Sequence, residues 1–252
     1  MQRWLLAYIL KGLPVHPAAM AYITGKSIFQ NASLHADSRY LLRMDCKDFF
    51  PSITDSDLKL LIAARPVTFS MWQPFEIELF CKLVCKDGHL TIGAPTSPAL
   101  SNAVCYELDS QLSEISKKLD ITYSRYADDL FFSSQIPGVL ATIEPIVYAT
   151  ISKVPFPRGI SINPDKTRHS SKRGTRRVTG ITLGSDGKPY VGRHTKRKIR
   201  ALVHRFDSLD AKSRTSLAGL IAYVSGFDPD FVNSLITKYG HGVVSSARGG
   251  TP

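Results

Sequence analysis

Residues Ile121–Ser134 are mostly aromatic, aliphatic and hydroxyl side chains of strand-forming type, and the run YSRYADDLFFS within them carries two adjacent carboxylates, Asp128 and Asp129. Asp disfavours strand interiors and favours turns, so this segment is expected to fold as a β-hairpin with the acidic pair at its tip. The helix before it has the clearest pattern in the chain. Leu100, Val104, Leu108, Leu112, Ile115 and Leu119 recur every three or four residues, which predicts one buried face and places Asp109, Glu114, Lys117 and Lys118 in solvent. Ser97 and Pro98, closing the irregular run GAPTSP, are the expected cap and first-turn residue.

Other segments alternate in the same way. YLLRMD, Tyr40–Asp45, reads as a short apolar strand ending in a carboxylate, and Thr54 with Asp57 forms a capping box for the next helix. Met71–Val84 has a helical pattern, Lys86–Gly88 turns the chain, and Leu90–Ile92 is extended. A helix is expected within Val139–Lys153 despite Pro145, then a strand at GISIN, a strand and turn at RRVTGITL, and a second hairpin at SDGKPY. Tyr40–Tyr190 is therefore an α+β domain rather than a doubly wound parallel one. Beyond it, KRKIRALVHRF, SRTSLAGLIAYVSG and DPDFVNSLITKYG are three helical patterns, a small appendage whose final SSARGGTP should fray. At the start, Leu5, Leu6, Ile9, Leu10 and Leu13 give Gln2–Leu13 helical spacing.

Charge narrows the class of partner. The 252 residues hold 32 Lys and Arg against 21 Asp and Glu, and 43% are hydrophobic, which supports a folded core. Between Arg158 and Arg200 there are 13 basic residues and two acids, Asp165 and Asp186, so this stretch by itself holds a charge of +11. The expected partner is a polyanion, and nucleic acid rather than an acidic membrane, because no basic stretch carries the long apolar face of an interfacial helix. Cys46, Cys81, Cys85 and Cys105 sit among apolar neighbours without zinc-ligand spacing, which implies buried thiols in a reducing compartment. Trp4–Leu10 is too short for a membrane span and no cleavage site follows, so a cytoplasmic protein is expected.

If the strand ending at Asp45 lies beside the hairpin, Asp45 and Asp128 can share divalent cations with Asp129 close by. Mg²⁺ takes such hard oxygen ligands and keeps positions open for water and phosphate. Two ions about 4 Å apart suit phosphoryl transfer. The bland alternative is that Asp128 and Asp129 merely make a turn.

The motifs MDCKDFFPSI, TIGAPTSPALSN, YSRYADDLFFS, GISINPDKT and RRVTGITL, with NASLH before them, resemble in order and separation those of prokaryotic reverse transcriptases, most closely the retron enzymes. The resemblance implies a right-hand polymerase with a ferredoxin-like palm and a mainly helical thumb. Its boundaries would be 1–39 for a residual fingers segment, 40–191 for the palm, 192–245 for the thumb and 246–252 for a flexible tail. It implies RNA-directed DNA synthesis on a cognate structured non-coding RNA that also supplies a 2′-hydroxyl primer, giving an RNA–DNA hybrid, and a defence effector protein as a further partner. Asp45 and Asp128 would be catalytic metal ligands for two Mg²⁺ ions, with Mn²⁺ as the alternative, and Asp129 their neighbour in the same set.

By the same resemblance Phe50 gates the incoming dNTP sugar, though Phe49 and Phe50 could both be core, and period-two alternation lets at most one pack there fully. Gly93 and Ala94 let substrate approach the backbone, and Lys166 lies near the triphosphate. Arg168, Lys172, Arg173, Arg176 and Arg177 would hold backbone phosphates, and Arg193, Lys196, Arg197, Lys198, Arg200 and Arg205 an RNA stem. Two departures stand out. Ile92 occupies the place of a glutamine, and Gln2-Arg3-Trp4 is preceded by none of the family's larger fingers region, so full activity is expected to depend on that region being supplied. A template-independent palm-type nucleotidyl cyclase and a non-catalytic RNA-binding scaffold are the alternatives.

Overall fold

Along Tyr40–Cys46 (β1), Leu42, Met44 and Cys46 alternate with Leu41, Arg43 and Asp45, and the two sets meet different surroundings. In the structure, a computed structural model that describes residues 1–65 and 69–249, β1 is an inner strand of a four-stranded sheet. Thr122–Tyr126 (β4) and Asp129–Ser134 (β5) form the hairpin, β5 pairs antiparallel with β1, and Ile162–Ser171 (β6) pairs antiparallel with its other side. The strand order β4-β5-β1-β6, with helices between β1 and β4 and between β5 and β6, is the β-α-β-β-α-β topology of ferredoxin-like folds.

One sheet face packs on helices. Leu42, Met44, Leu130 and Phe132 are fully buried with Leu108 and Leu112 of Tyr106–Lys118 (α6), and with Ile143 and Val147 of Val139–Lys153 (α7). The opposite face is covered only in part. Leu41 and Phe131 pack with Ala32 of Ile28–Leu34 (α2) and with Val178, Ile181 and Leu183 of a small sheet made by Arg176–Val178 (β7), Ile181–Leu183 (β8) and Pro189–Tyr190 (β9). The β7–β8 turn has positive φ at both Thr179 and Gly180, the mirror-image turn that follows strand twist. Farther along the same face come Arg43, Asp45 and Asp129.

The remaining elements are Gln2–Tyr8 (α1), Asp55–Ala63 (α3), Pro74–Val84 (α4), the short pair Cys85–Lys86 (β2) and His89–Leu90 (β3), and Ser97–Val104 (α5). Thr54 and Asp57 make the expected capping box of α3. The appendage comprises Arg193–His204 (α8), Ala211–Ser225 (α9), Pro229–Tyr239 (α10) and His241–Ala247 (α11), joined by a second core that includes Ile199, Leu217, Ile221 and Leu235.

Several expectations change. The long helix is two helices, α5 and α6, divided at Cys105, where φ is −80° and ψ 2°. Ser97 lies inside α5, not at its cap. Its hydroxyl donates to the Thr91 carbonyl at 2.8 Å, tying the preceding loop to the helix. Asp109 is fully buried, because Arg125 and Tyr123 rise from β4 to meet it. The acidic pair is split: Asp128 is in the two-residue turn and Asp129 is the first residue of β5. The appendage has a fourth helix, whose Ala247 is buried in its core, so order extends into the expected tail, of which 250–252 lie outside the described residues.

Candidate active site

Asp45 arrives at the end of β1 opposite Asp129 of β5 and Asn163 of β6. The turn between β4 and β5 places Asp128 next to it in space: the Asp128 carbonyl accepts the Cys46 N–H at 2.8 Å, one residue beyond Asp45. Ala127, first of the two turn residues, has φ +56°, a left-handed conformation uncommon for a residue with a β-carbon. Two segments far apart in sequence, each carrying a carboxylate, thus meet at the backbone because sheet pairing brings a strand end to a hairpin turn.

The three carboxylates have different surroundings. The Asp45 side chain is 4% exposed and receives the Lys166 ammonium at 2.9 and 3.2 Å. Lys166 reaches it through an irregularity in β6. Arg43 faces Arg168 but Asp45 faces Asn163, so β6 holds three residues more than β1 over that interval. Pro164, which lacks an N–H for the ladder, is among them. The hydrogen bond to Asp45 and its charge hold the Lys166 ammonium above the usual lysine range. Asp129 is paired with Arg43, whose Nε and Nη2 donate to its two oxygens at 2.9 and 3.0 Å. Burial pushes the Asp129 carboxyl above its ordinary value, and the Arg43 charge opposes that rise. Asp128 is half-buried and lines a cleft of about 280 Å³ with Tyr22, Phe50, Ile92 and Lys166.

Phe49 and Phe50 both line the cleft but differ in burial. Phe49 is 6% exposed in the main core, whereas Phe50 forms the cleft wall 6.2 Å from the Tyr22 ring. Ile92 is 76% exposed at the mouth. Gly93 beside it has φ +85° and open space where a β-carbon would lie, and Ala94 follows in the turn stapled by Ser97.

Among the described residues no three His, Cys, Asp or Glu side chains form a ready-made metal cage. Mg²⁺ is ordinarily held by one or two carboxylates together with substrate phosphates. Asp45 and Asp128 are the two carboxylates that could serve in this way, and Asp45, though buried, already accepts the Lys166 ammonium. Both oxygens of Asp129 are committed to Arg43.

The basic residues separate by exposure. Arg168 and Arg177 are exposed and, with Arg43, line a second groove of about 350 Å³ on the open sheet face. Arg173 is exposed and Lys172 half-buried. Arg176 departs from the expectation of a phosphate contact: it is 1% exposed, and its guanidinium donates to the carbonyls of Ala36, Ser38 and Gly184, bracing the segment after α2 against the turn after β8. Arg193, Arg197, Lys198, Arg200 and Arg205 are exposed on and after α8, while Lys196 is engaged by Asp228 at 2.7 Å.

Tyr22, Arg43, Arg125 and His35 also belong to the surroundings of the site, and no motif in the sequence points to them. His35 of NASLH is fully buried, its two ring nitrogens 2.7 Å from Ser133 Oγ and 2.8 Å from Ser124 Oγ, so it ties β4 to β5 within the hairpin. In the sequence its signal is the i, i+4 spacing of Asn31 and His35 on one helix face. Among the described residues no helix is long and apolar enough to cross a membrane.

Comparison with known proteins adds the following. A family profile described as reverse transcriptase (RNA-dependent DNA polymerase) matches residues 4–183. The chain is 36% identical to the retron Ec83 reverse transcriptase of Escherichia coli, over 98% of this chain and 81% of that protein. It is 34% identical to the retron Mx162 reverse transcriptase of Myxococcus xanthus, over 90% of this chain and 53% of that one. Among solved structures, apo telomerase from Candida tropicalis superposes with a TM-score of 0.53 at 12% identity, covering 98% of this chain and 50% of the other, a likeness of fold.

Proposed function

Because the chain belongs to the reverse transcriptase family, among its retron members, we propose that it is an RNA-directed DNA polymerase that copies a structured RNA from a hydroxyl primer at the cleft above Asp45 and Asp128. The observation that carries the reading is the cleft at the end of the sheet where Asp128, Phe50 and Lys166 come together, with Lys166 held on Asp45 and the backbones of Cys46 and Asp128 bonded to one another.

Each residue has a physical task. Asp45 and Asp128 would hold divalent cations, which when bound supply charge neutralisation at the reacting phosphate and lower the pKa of the attacking hydroxyl. Lys166, 59% exposed on its bulge, can turn from Asp45 to the triphosphate and stabilise charge as pyrophosphate leaves. Phe50 fills the volume that a ribose 2′-hydroxyl would need and offers it no hydrogen bond, favouring deoxyribose. Arg168 and Arg177 on the open face, with the exposed cations of α8, position phosphates of the template and growing strand without reading bases. Asp129, neutralised by Arg43, is placed in the proposal as a brace of the turn. The primer source, the two-ion stoichiometry with Mg²⁺, the hybrid product, a defence effector and a cytoplasmic setting belong to the same proposal.

The test is extension of a primed RNA template with dNTPs and Mg²⁺, comparing the unsubstituted chain with Asp45→Asn. Loss on the order of 10³-fold in rate with RNA affinity retained supports the reading. RNA binding with no synthesis, by the unsubstituted chain and equally by the chain joined to a fingers region, would favour a scaffold, and a small cyclic product made without template a cyclase. Either result would sink the polymerase reading.

A further inference from the structure

Behind the turn that carries Asp128 lies an ion pair with no contact to solvent. Arg125 of β4 is 1% exposed and Asp109 of α6 is 0% exposed. Arg125 Nε donates to Asp109 Oδ1 at 2.8 Å and Nη2 to Oδ2 at 2.6 Å, while the Tyr123 hydroxyl donates to Oδ1 at 2.8 Å. A buried pair of this kind is a poor source of stability, since apolar side chains of similar volume often do as well. What an apolar pair cannot do is direct a donor. The third arm of the guanidinium does so here: Nη1 donates to the Ala127 carbonyl at 3.2 Å.

That carbonyl belongs to the residue with φ +56°, and the next residue is Asp128. The Arg125 backbone is itself clamped, its N–H donating to Ala18 O at 2.8 Å and its carbonyl accepting from Met20 N–H at 2.7 Å. The bond from Nη1 therefore connects the helix carboxylate and a braced strand to the one turn residue whose left-handed conformation decides where Asp128 points. We propose that Arg125, anchored by Asp109, is a positioning residue that holds Ala127 in its left-handed conformation and so aims Asp128 into the cleft. The proposal rests on the polymerase reading for its consequence in rate and on the geometry for its consequence in conformation.

Arg125→Lys keeps the charge and one bond to Asp109 but cannot also reach the Ala127 carbonyl. The variant is expected to bind RNA within about threefold of the unsubstituted chain and to lose roughly 10- to 100-fold in the rate of extension, the usual cost of a small misplacement at a reacting centre. In that variant the Ala127 Cα and Cβ chemical shifts leave left-handed values. Adding Ala127→Gly, which adopts positive φ without a β-carbon penalty, restores roughly tenfold of the lost rate. A rate loss without rescue, or Ala127 shifts unchanged in Arg125→Lys, overturns the proposal in favour of simple packing. Where Arg125→Lys is insoluble, Asp109→Asn is read by the same two measurements, and insolubility of both overturns it by assigning the pair to the whole fold. Absence of extension both by the unsubstituted chain and by the chain joined to a fingers region defeats the polymerase reading alone, because the Ala127 shifts still decide the role of Arg125.

Discussion

Acid should weaken this protein through His35 before it protonates most carboxylates. Burial lowers the His35 pKa from 6.5 to about 3. The sign follows from proton counting: between these values the unfolded chain binds a proton at this position and the folded chain does not. Stability from this group is fully present above about pH 6.5 and falls as the pH drops toward 3. A shift of about 3.5 pH units at about 1.36 kcal/mol each sets a ceiling near 5 kcal/mol, and between pH 7 and pH 4 the loss comes to about 3 kcal/mol. Against a total of about 5–15 kcal/mol for a folded domain, that is a large fraction.

The assay is urea unfolding of the chain and of His35→Gln at pH 7, 6, 5 and 4. His35→Gln is less stable at pH 7, because the paired bonds to Ser124 and Ser133 are disturbed, but its decline with pH should be shallower by about 1.36 kcal/mol per unit between pH 6 and pH 4. All carboxylates are common to both proteins, so the difference isolates the imidazole. Parallel curves for the two proteins would refute the reasoning that a neutral buried ring joins β4 to β5.

Other outcomes follow from the same geometry. Arg177→Ala, removing an exposed groove cation, should lower the slope of log affinity for RNA against log salt by roughly 0.7–1. Arg176→Ala should instead leave the slope unchanged and cost about 3 kcal/mol or more in denaturant stability, because three carbonyls lose a buried donor. Phe50→Ala should raise ribonucleotide use relative to deoxyribonucleotide roughly 10- to 100-fold in single-nucleotide incorporation, and no change would remove Phe50 from sugar selection. Lys166→Ala should tighten Mn²⁺ binding to the RNA-free chain by up to about fivefold in calorimetry while slowing incorporation. Equal affinity would mean that the ammonium does not compete for Asp45.

What could be read from residues alone was local. Period-two and period-3.6 patterns, turn residues and motif order gave the strand at Tyr40, the hairpin around Asp128, the capping box at Thr54 and the α+β class, since backbone preference and side-chain alternation act over a few neighbours. Tertiary structure decided where charges went. Asp109 has the helix position of a solvent residue and becomes buried only because Arg125 comes up beneath it from β4. Arg176 sits in a basic run and turns inward only because the segment after α2 and the turn after β8 leave carbonyls pointing at it. Whether Asp129 faces a metal or Arg43 depends on strand register, which no stretch of sequence contains by itself. A charge takes its role from the groups brought around it, and those come from distant parts of the chain.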